Sequence, residues 1–585
     1  MRRDGPPTPP SRRVAQPVVF RPLSRNVRPA GRGAPPLASP PRSSARRPQR
    51  PITATPPSRN TRVPQHPRPS SPRRSSLLSA SLTVMVAFVC SRLLGLWRTS
   101  LLAATFGNGP AANAFQAAFA IPDFIFNLVV GGALNSAFIP IFAELLGARR
   151  EDEAWELTAT VLNGVLLLLA VLGGMAALFA PLLAPLLAPG FDPATQALVV
   201  QLTRILFLQP LLFGAGSVAF AILNARQHFL FPAWAPVVYN VFQILALLFL
   251  TPRLGINGLA IGVVAGALAY AGMQVPVLYR YGFSYRATLD WRAPAFRRML
   301  RLLVPRTLTL ASNQIGGTVT SRTIASAISG GVAALGYAYT LLLLPINVLG
   351  VSVATATFPT LASMAGRGDR RALQATVRSA LRGLLYLGFG SSGLLVALRL
   401  PLIGLIYQHG AFGAADAALT ASALLFYGLG VAPQLADELL PRAFFALQDA
   451  RTPLVINLSV VAVNIALSVL LVRRLGLGGI ALALTLAAVL EMVLLLACLQ
   501  RKLPGLLDAS FVGELGMLLI AACAGGLAAF LLALPISHLP VRPLLQNFGG
   551  LLFGGLLGSA VFARVAAAFG WREHERLWSV LRRGR

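Results

Sequence analysis

Apolar residues in this 585-residue chain come in runs of about 20 or more between short polar breaks, the length a helix needs to cross a hydrocarbon core of about 30 Å. About fourteen such runs can be read. They centre near 77–103, 112–145, 155–186, 197–223, 230–251, 256–279, 299–328, 331–364, 375–407, 417–440, 453–472, 478–499, 511–535 and 545–570. In lipid every backbone polar group must be satisfied internally, and the ten-residue alternation of barrel strands is missing. The expectation is an all-α integral membrane protein of about 14 transmembrane helices. Charged residues make up 12% of the chain, too few to coat a soluble protein of this length.

A shift of 221 residues lays one hydrophobic stretch on another without a gap. Phe191 falls on Phe412, Ala194 on Ala415, Leu198 on Leu419 and Pro232 on Pro453. Arg253-Leu254-Gly255, Gly258 and Ala260 fall on Arg474-Leu475-Gly476, Gly479 and Ala481. Earlier in each half Pro122 and Pro140 match Pro345 and Pro359 more loosely, which makes Pro122 and Pro345 hinge candidates. Six spans followed by six related spans form a parallel repeat, because an even number of crossings returns the chain to its starting side. Transporters are often built this way, with the substrate site between the halves. The expected boundaries are 76–290 for the first six-helix lobe, 291–503 for the second and 504–571 for two extra helices with no partner in the repeat. Gly258, Gly262 and Gly266, four residues apart, read as a helix-packing face.

The net charge of +32 suggests nucleic acid until it is located. Residues 1–75 hold 17 arginines against the single acid Asp4, among many prolines and serines. Such a segment cannot build a core and is expected to be a disordered cytoplasmic tail, attracted to an anionic leaflet. The loops choose an orientation. With the amino terminus inside, the inner loops carry Arg149, Arg150, Arg226, Arg280, Arg286, Arg292, Arg297, Arg298, Arg367, Arg370, Arg371, Arg442, Arg451, Arg501 and Lys502. The opposite loops offer little beyond Arg253, Arg399, Arg473, Arg474 and Arg542. By the positive-inside rule both termini, including the basic end at 572–585, face the cytoplasm. Cys90, Cys498 and Cys523 lie inside spans and suggest neither a disulfide framework nor a zinc site.

Charges within spans are costly and must face a partner or a wet cavity. Arg92 and Arg98 lie in span one, roughly 120° apart around the helix. Arg204 lies in span four, and Arg306 and Arg322 in span seven, where Asn313 shares a face with Arg306 and Gln314 sits beside them. The acids are Asp123 in span two, Asp437 and Glu438 in span ten and Glu491 in span twelve. An interior arginine excess suits an anionic substrate, because guanidinium binds phosphate through a planar fork of donors. The leading cavity candidates are Arg92, Arg98, Arg306, Asn313, Gln314 and Asp123, with Arg204 and Arg322 behind them. Snorkelling to the headgroups competes as an explanation for Arg98 and Arg322, and a structural ion pair explains Glu438 with Arg442. No P-loop lysine motif and no H-E-x-x-H motif is present, since Lys502 is the sole lysine. No cofactor is expected; uphill transport has to draw on an ion gradient, the membrane potential or substrate supply.

Several segments resemble one family. Ser91-Arg92-Leu93-Leu94-Gly95-Leu96-Trp97-Arg98 resembles the first-helix S-R-x-L-G-x-x-R pattern of the MurJ (MviN) family, flippases for the lipid-linked peptidoglycan precursor lipid II. Ala104-Thr105-Phe106-Gly107, Gly132-Ala133 with Ser136 to Pro140, and Glu144 add to the likeness. So do His409-Gly410-Ala411-Phe412, Arg442 to Ala446, Asp449 and Arg451-Thr452-Pro453. The resemblance covers roughly residues 77–500 and places the chain in the multidrug/oligosaccharidyl-lipid/polysaccharide exporter superfamily. It implies two six-helix lobes plus two helices, alternating access in a bacterial inner membrane, Arg92 and Arg98 meeting the pyrophosphate, and a groove at the last two helices for the polyprenyl tail.

The chain also departs from that pattern. Paired arginines and a glutamate common in the family's second helix read Phe126, Asn127 and Gly131 here, and the eighth-helix A-D-R-L reads Ala338-Tyr339-Thr340-Leu341. Asn113 stands where an acid is common after the F-G turn, and Glu438 where a base is common. Export of another lipid-linked glycan or an amphiphile, and a non-transporting scaffold that recruits cell-wall synthesis proteins, are therefore the competing functional readings. An integral membrane enzyme acting on lipid-linked sugars ranks below them, for want of an acid–base pair or metal cluster.

Overall fold

The computed structural model describes residues 74–130, 133–283, 285–301, 314, 320–507 and 509–571. The basic tail, most of span seven with Arg306 and Asn313, and the basic carboxyl end lie outside the described residues. The first lobe comprises α1 (Arg74–Phe106), α2 (Pro110–Ala118), α3 (Ala120–Val129), α4 (Ala133–Gly147), α5 (Glu151–Leu178) and α6 (Ala180–Leu187). It continues with α7 (Pro193–Leu206), α8 (Leu208–Ala225), α9 (Leu230–Leu245), a π-helical turn, α10 (Thr251–Leu254) and α11 (Ile256–Tyr279). In the second lobe come α12 (Thr320–Ala325), α13 (Gly331–Pro345), a second π-helical turn (Ile346–Val351), α14 (Ser352–Gly366), α15 (Arg370–Ala397) and α16 (Arg399–Ile406). There follow α17 (Ala414–Leu429), α18 (Val431–Ala446), α19 (Arg451–Leu475), α20 (Leu477–Lys502), and the two additional helices α21 (Ala509–Ser537) and α22 (Pro543–Ala568).

Twelve of these helices or helix runs are long and apolar enough to cross a membrane, and α17–α18, bent by 49°, makes a thirteenth. In the first lobe α1 packs on α9, α9 and α8 on α11, and α5 on α8. In the second, α13 packs on α17, α15 on α18, and α19 and α17 on α20. The pair α21–α22 attaches to the second lobe through α15 and α16.

Several runs that read as one span are broken. The run 112–145 forms three helices, and the runs 155–186 and 375–407 each end in a separate short helix. Proline explains the α2–α3 and α5–α6 breaks, since it has no N–H to donate and is tolerated in a helix's first turn. Pro122 sits in the first turn of α3, just past the α2–α3 break at Phe119, and Pro181 in the first turn of α6. Pro345 ends α13 at the start of the π-helical turn. Both hinge candidates thus stand beside an interruption in the helical ladder.

Corresponding points of the two lobes adopt matching geometry. α5 and α6 have 28 and 8 residues, as do α15 and α16. Gln227 and Gln448, 221 residues apart, both have φ of 58°. Each closes its helix with the same bonds: Gln227 N–H to Asn224 O and His228 N–H to Leu223 O, Gln448 N–H to Phe445 O and Asp449 N–H to Phe444 O. Gly255 and Gly476 turn the chain at φ 59° and 56°. Three residues on, a Cβ on Gly258 would lie 2.7 Å from the Leu250 backbone, and one on Gly479 2.4 Å from the Leu471 carbonyl oxygen.

At the second of these turns Asp449 gathers three elements. Its Oδ1 accepts the N–H groups of Arg451 and Thr452 (3.0 and 3.1 Å), capping α19, and its Oδ2 accepts the Thr452 hydroxyl (2.5 Å) and Lys502 Nζ at the end of α20 (2.6 Å). The Lys502 bond first, then Thr452, hold this carboxyl well below the usual carboxylate range. A depressed folded pKa stabilises above the ordinary aspartate value of about 4 and is lost only as pH falls through the lower folded value. Asp449→Asn should therefore lower the thermal midpoint of the purified protein by the same amount at pH 8 and pH 6. A difference that vanishes at pH 6 would contradict this account.

Candidate functional site

Direct contacts between the lobes gather at one end of the bundle, where α1 terminates. The Ala411 N–H donates to Ala104 O at 2.7 Å, and the Ser100 hydroxyl donates to Ile406 O. Tyr337 Oη donates to Gly107 O (3.1 Å), Ala333 N–H to Asn113 Oδ1 (2.9 Å) and Asn108 Nδ2 to Asp416 O (3.3 Å). Gly190 N–H reaches Ser326 Oγ at 3.2 Å. Backbones touch here because side chains are missing: a Cβ on Gly410 would stand 2.3 Å from Ala104 O. The two family-like segments Ala104 to Gly107 and His409 to Phe412, some 300 residues apart in sequence, thus dock on each other across the lobes.

Below this seal lies a polar face in an otherwise apolar interior. Arg98 Nη1 donates to Gln243 Oε1 at 3.1 Å, and Gln243, buried on α9, donates onward to Tyr239 O at 3.3 Å. Arg98 also interacts electrostatically with Tyr239 and, across the lobes, with Tyr407. Asp123 on α3 accepts from Asn127 Nδ2 (3.3 Å) and from Gln314, and faces the guanidinium of Arg322. Arg322 in turn neighbours Tyr339, and one of its nitrogens, Nη1, is buried without a hydrogen-bond partner. Arg92 is exposed, its guanidinium 5.0 Å from the Phe88 ring, with no acidic partner among the described residues. Its neighbours one and two turns back, Met85, Phe88 and Val89, are exposed as well.

The sequence-derived residues therefore divide. Arg98, Asp123, Gln314 and Arg322 come together where the lobes face each other, whereas Arg92 is exposed and joins none of them. Arg204 does not join them: it is exposed, and its Nε donates to Ala177 O within its own lobe. Arg306 and Asn313 lie outside the described residues. Glu438 and Arg442 form the structural ion pair, at 3.3 Å. Glu491 accepts from Asn457 Nδ2 (3.2 Å) near Asp437, all within the second lobe. The charge census passed over Gln243, Tyr239, Tyr339 and Tyr407. Their signal was present, since Tyr239 and Gln243 are four apart on one face of an apolar helix.

Two helical lobes joined at one end, with the guanidiniums of Arg98 and Arg322 where they face each other, have the architecture of a membrane transporter of the exporter type. The chain belongs to the family described as Lipid II flippase MurJ, which matches residues 102–541. It is 32% identical over 506 residues to a probable lipid II flippase MurJ of Rhizobium tropici, covering 84% of this chain and 93% of that one. Among solved structures it is similar to a lipid II flippase MurJ in an inward closed conformation, at a TM-score of 0.70 and 25% identity, covering 83% of this chain and 98% of that chain. An inward-facing MATE transporter of the MOP superfamily shares the fold at a TM-score of 0.61 and 17% identity, covering 72% of this chain and 98% of that chain.

The seal makes a testable demand. A methyl at residue 410 meets a backbone oxygen that cannot yield, so Gly410→Ala should shift the lobes toward the state open at this end. Spin labels at Asp192 and Ala327, on a background lacking Cys90, Cys498 and Cys523, report the separation. A longer-distance population is expected in Gly410→Ala, and an unchanged distribution would refute the seal.

Proposed function

We propose that this chain is a flippase that carries lipid II from the inner to the outer leaflet of the bacterial cytoplasmic membrane, for peptidoglycan synthesis. The observation that carries the reading is the pair of arginines Arg98 and Arg322 against the single carboxylate Asp123 where the lobes face each other, below the contacts that join them at one end. A pyrophosphate cannot cross hydrocarbon bare, and guanidiniums in a low-dielectric cleft replace its hydration. With the basic loops inside, both termini are cytoplasmic, the seal lies at the outer surface, and the head group enters from the cytoplasm. Breaking the seal while the opposite ends close delivers it outward; the polyprenyl tail stays in the membrane. Turnover draws on an ion gradient or the membrane potential. The basic tail holds to anionic lipids and serves as the contact for cell-wall synthesis proteins.

One observation favours a second substrate. Asn127, in place of a family arginine, donates to Asp123, and Asp123 offsets Arg322, so this wall of the cleft is nearly neutral. That composition suits a lipid-linked glycan with a less anionic head.

Complementation tests both readings. Expressed in a bacterium depleted of its own flippase, the wild-type chain should restore lipid II on the outer leaflet. Arg98→Ala and Arg92→Ala should each reduce it by roughly tenfold or more at matched membrane abundance, the scale of a lost charge-assisted phosphate contact. Absence of rescue by correctly inserted wild type would favour the other glycan. Loss of rescue on deleting residues 1–75 alone would favour the scaffold.

A further inference from the structure

The lipid-facing side of the first lobe carries a long crevice. α3 ends at Val129, and α5 continues beyond it partly uncovered. Two adjoining cavities, of about 520 and 630 Å³, follow this line and share Leu172. The lining runs roughly 22 Å along α5 from Val161 to Ala176 at 1.5 Å per residue, and α6 continues it to Leu187. The walls are almost wholly apolar, and Leu168, Val171, Met175 and Leu182 are about half exposed or more, from 47 to 71%.

One end of the crevice is closed by the segment between the lobes. Asn163 Nδ2 donates to the carbonyls of Arg286 (2.9 Å) and Thr288 (2.8 Å), and the Asp290 N–H donates to Thr160 Oγ1 (3.3 Å), pinning this segment on α5. Trp291 then lines the crevice, and residues 294–301 are helical. Phe296, Met299 and Leu300 point one face of that helix into the cavity. Arg292, Arg297 and Arg301 are exposed, with no acidic partner among the described residues, whereas Arg298 pairs with Glu144 at 2.9 Å. Such a helix, apolar toward the acyl region and basic toward the headgroups, is an interfacial element.

We propose that the crevice is a binding site for an anionic glycerophospholipid, with acyl chains along α3 and α5 and the phosphate at Arg292, Arg297 and Arg301. Shape alone would admit any lipid; Arg292, Arg297 and Arg301, without an acidic partner among the described residues, select a negative headgroup at one end. A lipid seated there holds the inter-lobe segment against the first lobe. The site is separate from the cleft and stands whether or not lipid II is the substrate.

Trp291, half exposed and lining the crevice, is a built-in reporter. The protein is placed in phosphatidylcholine nanodiscs containing a minor fraction of acyl-brominated phosphatidylglycerol or acyl-brominated phosphatidylcholine. The quenching lost in Trp291→Phe is the Trp291 signal. At equal mole fraction the brominated phosphatidylglycerol should quench that signal roughly threefold more than the phosphatidylcholine. The triple variant R292Q/R297Q/R301Q should abolish the preference while leaving basal quenching, and Gly164→Phe, which fills the crevice, should reduce quenching by both lipids. Equal quenching by both headgroups in the wild type would overturn the proposal, as would a preference that survives the triple variant. Because the readout is binding, failure of the flippase reading leaves it untouched.

Discussion

The carbonyl of Ala104, near the end of α1, accepts the Ala411 N–H of the other lobe and lies against Gly410. The last carbonyls of any helix have no partner within the helix. Here the second lobe supplies one: Ala104 O takes Ala411, and Gly107 O, just past the helix end, takes the Tyr337 hydroxyl. The joint between the lobes is therefore also the cap of the first span. When the lobes part, these groups exchange their partners for water, which at a membrane surface is close by. Each of the six bonds between the lobes contributes a net of about 0.5–1.5 kcal/mol, roughly 3–9 kcal/mol together, beside the apolar contacts around them. Alternating access then requires contacts at the opposite end to offset most of this, so that both states are sampled.

Such a seal needs a cleft that does not hold the lobes together by itself. A strong buried ion pair between lobes would do so, because separating it leaves two unpaired charges. Asp123 and Arg322 attract each other across the lobes without a salt-bridge contact among the described residues, and the carboxylate takes its hydrogen bonds from Asn127 and Gln314. Arg98 is held instead by a neutral amide, Gln243, on its own lobe. A guanidinium kept by a neutral acceptor retains its charge for a ligand and costs little to carry through the conformational change.

Much of the architecture was legible in the sequence, because hydrocarbon thickness dictates run length and lipid forbids unpaired backbone. The breaks within runs were less so. Pro122, Pro181 and Pro345 are visible as residues, but whether a proline kinks a helix or ends it depends on what its neighbours can re-pair. The cleft was half legible. Arg98 and Arg204 look alike as lone arginines in apolar spans, yet one meets Gln243 across a helix contact and the other turns back to Ala177 O. Periodicity gives the face of a helix, not what stands opposite. The same limit hid the seal: Ala104 to Gly107 and His409 to Phe412 are recognisable segments, but their mutual docking exists only in three dimensions.

Charge placement then links the cleft to the segment that joins the lobes. Residues 286–290 are bonded to the first lobe at Thr160 and Asn163, while the chain that follows enters the second. Whatever motion opens the seal must be accommodated beyond this anchor. A helix of one apolar and one basic face suits that position, since it slides along the interface without exposing either face to the wrong medium.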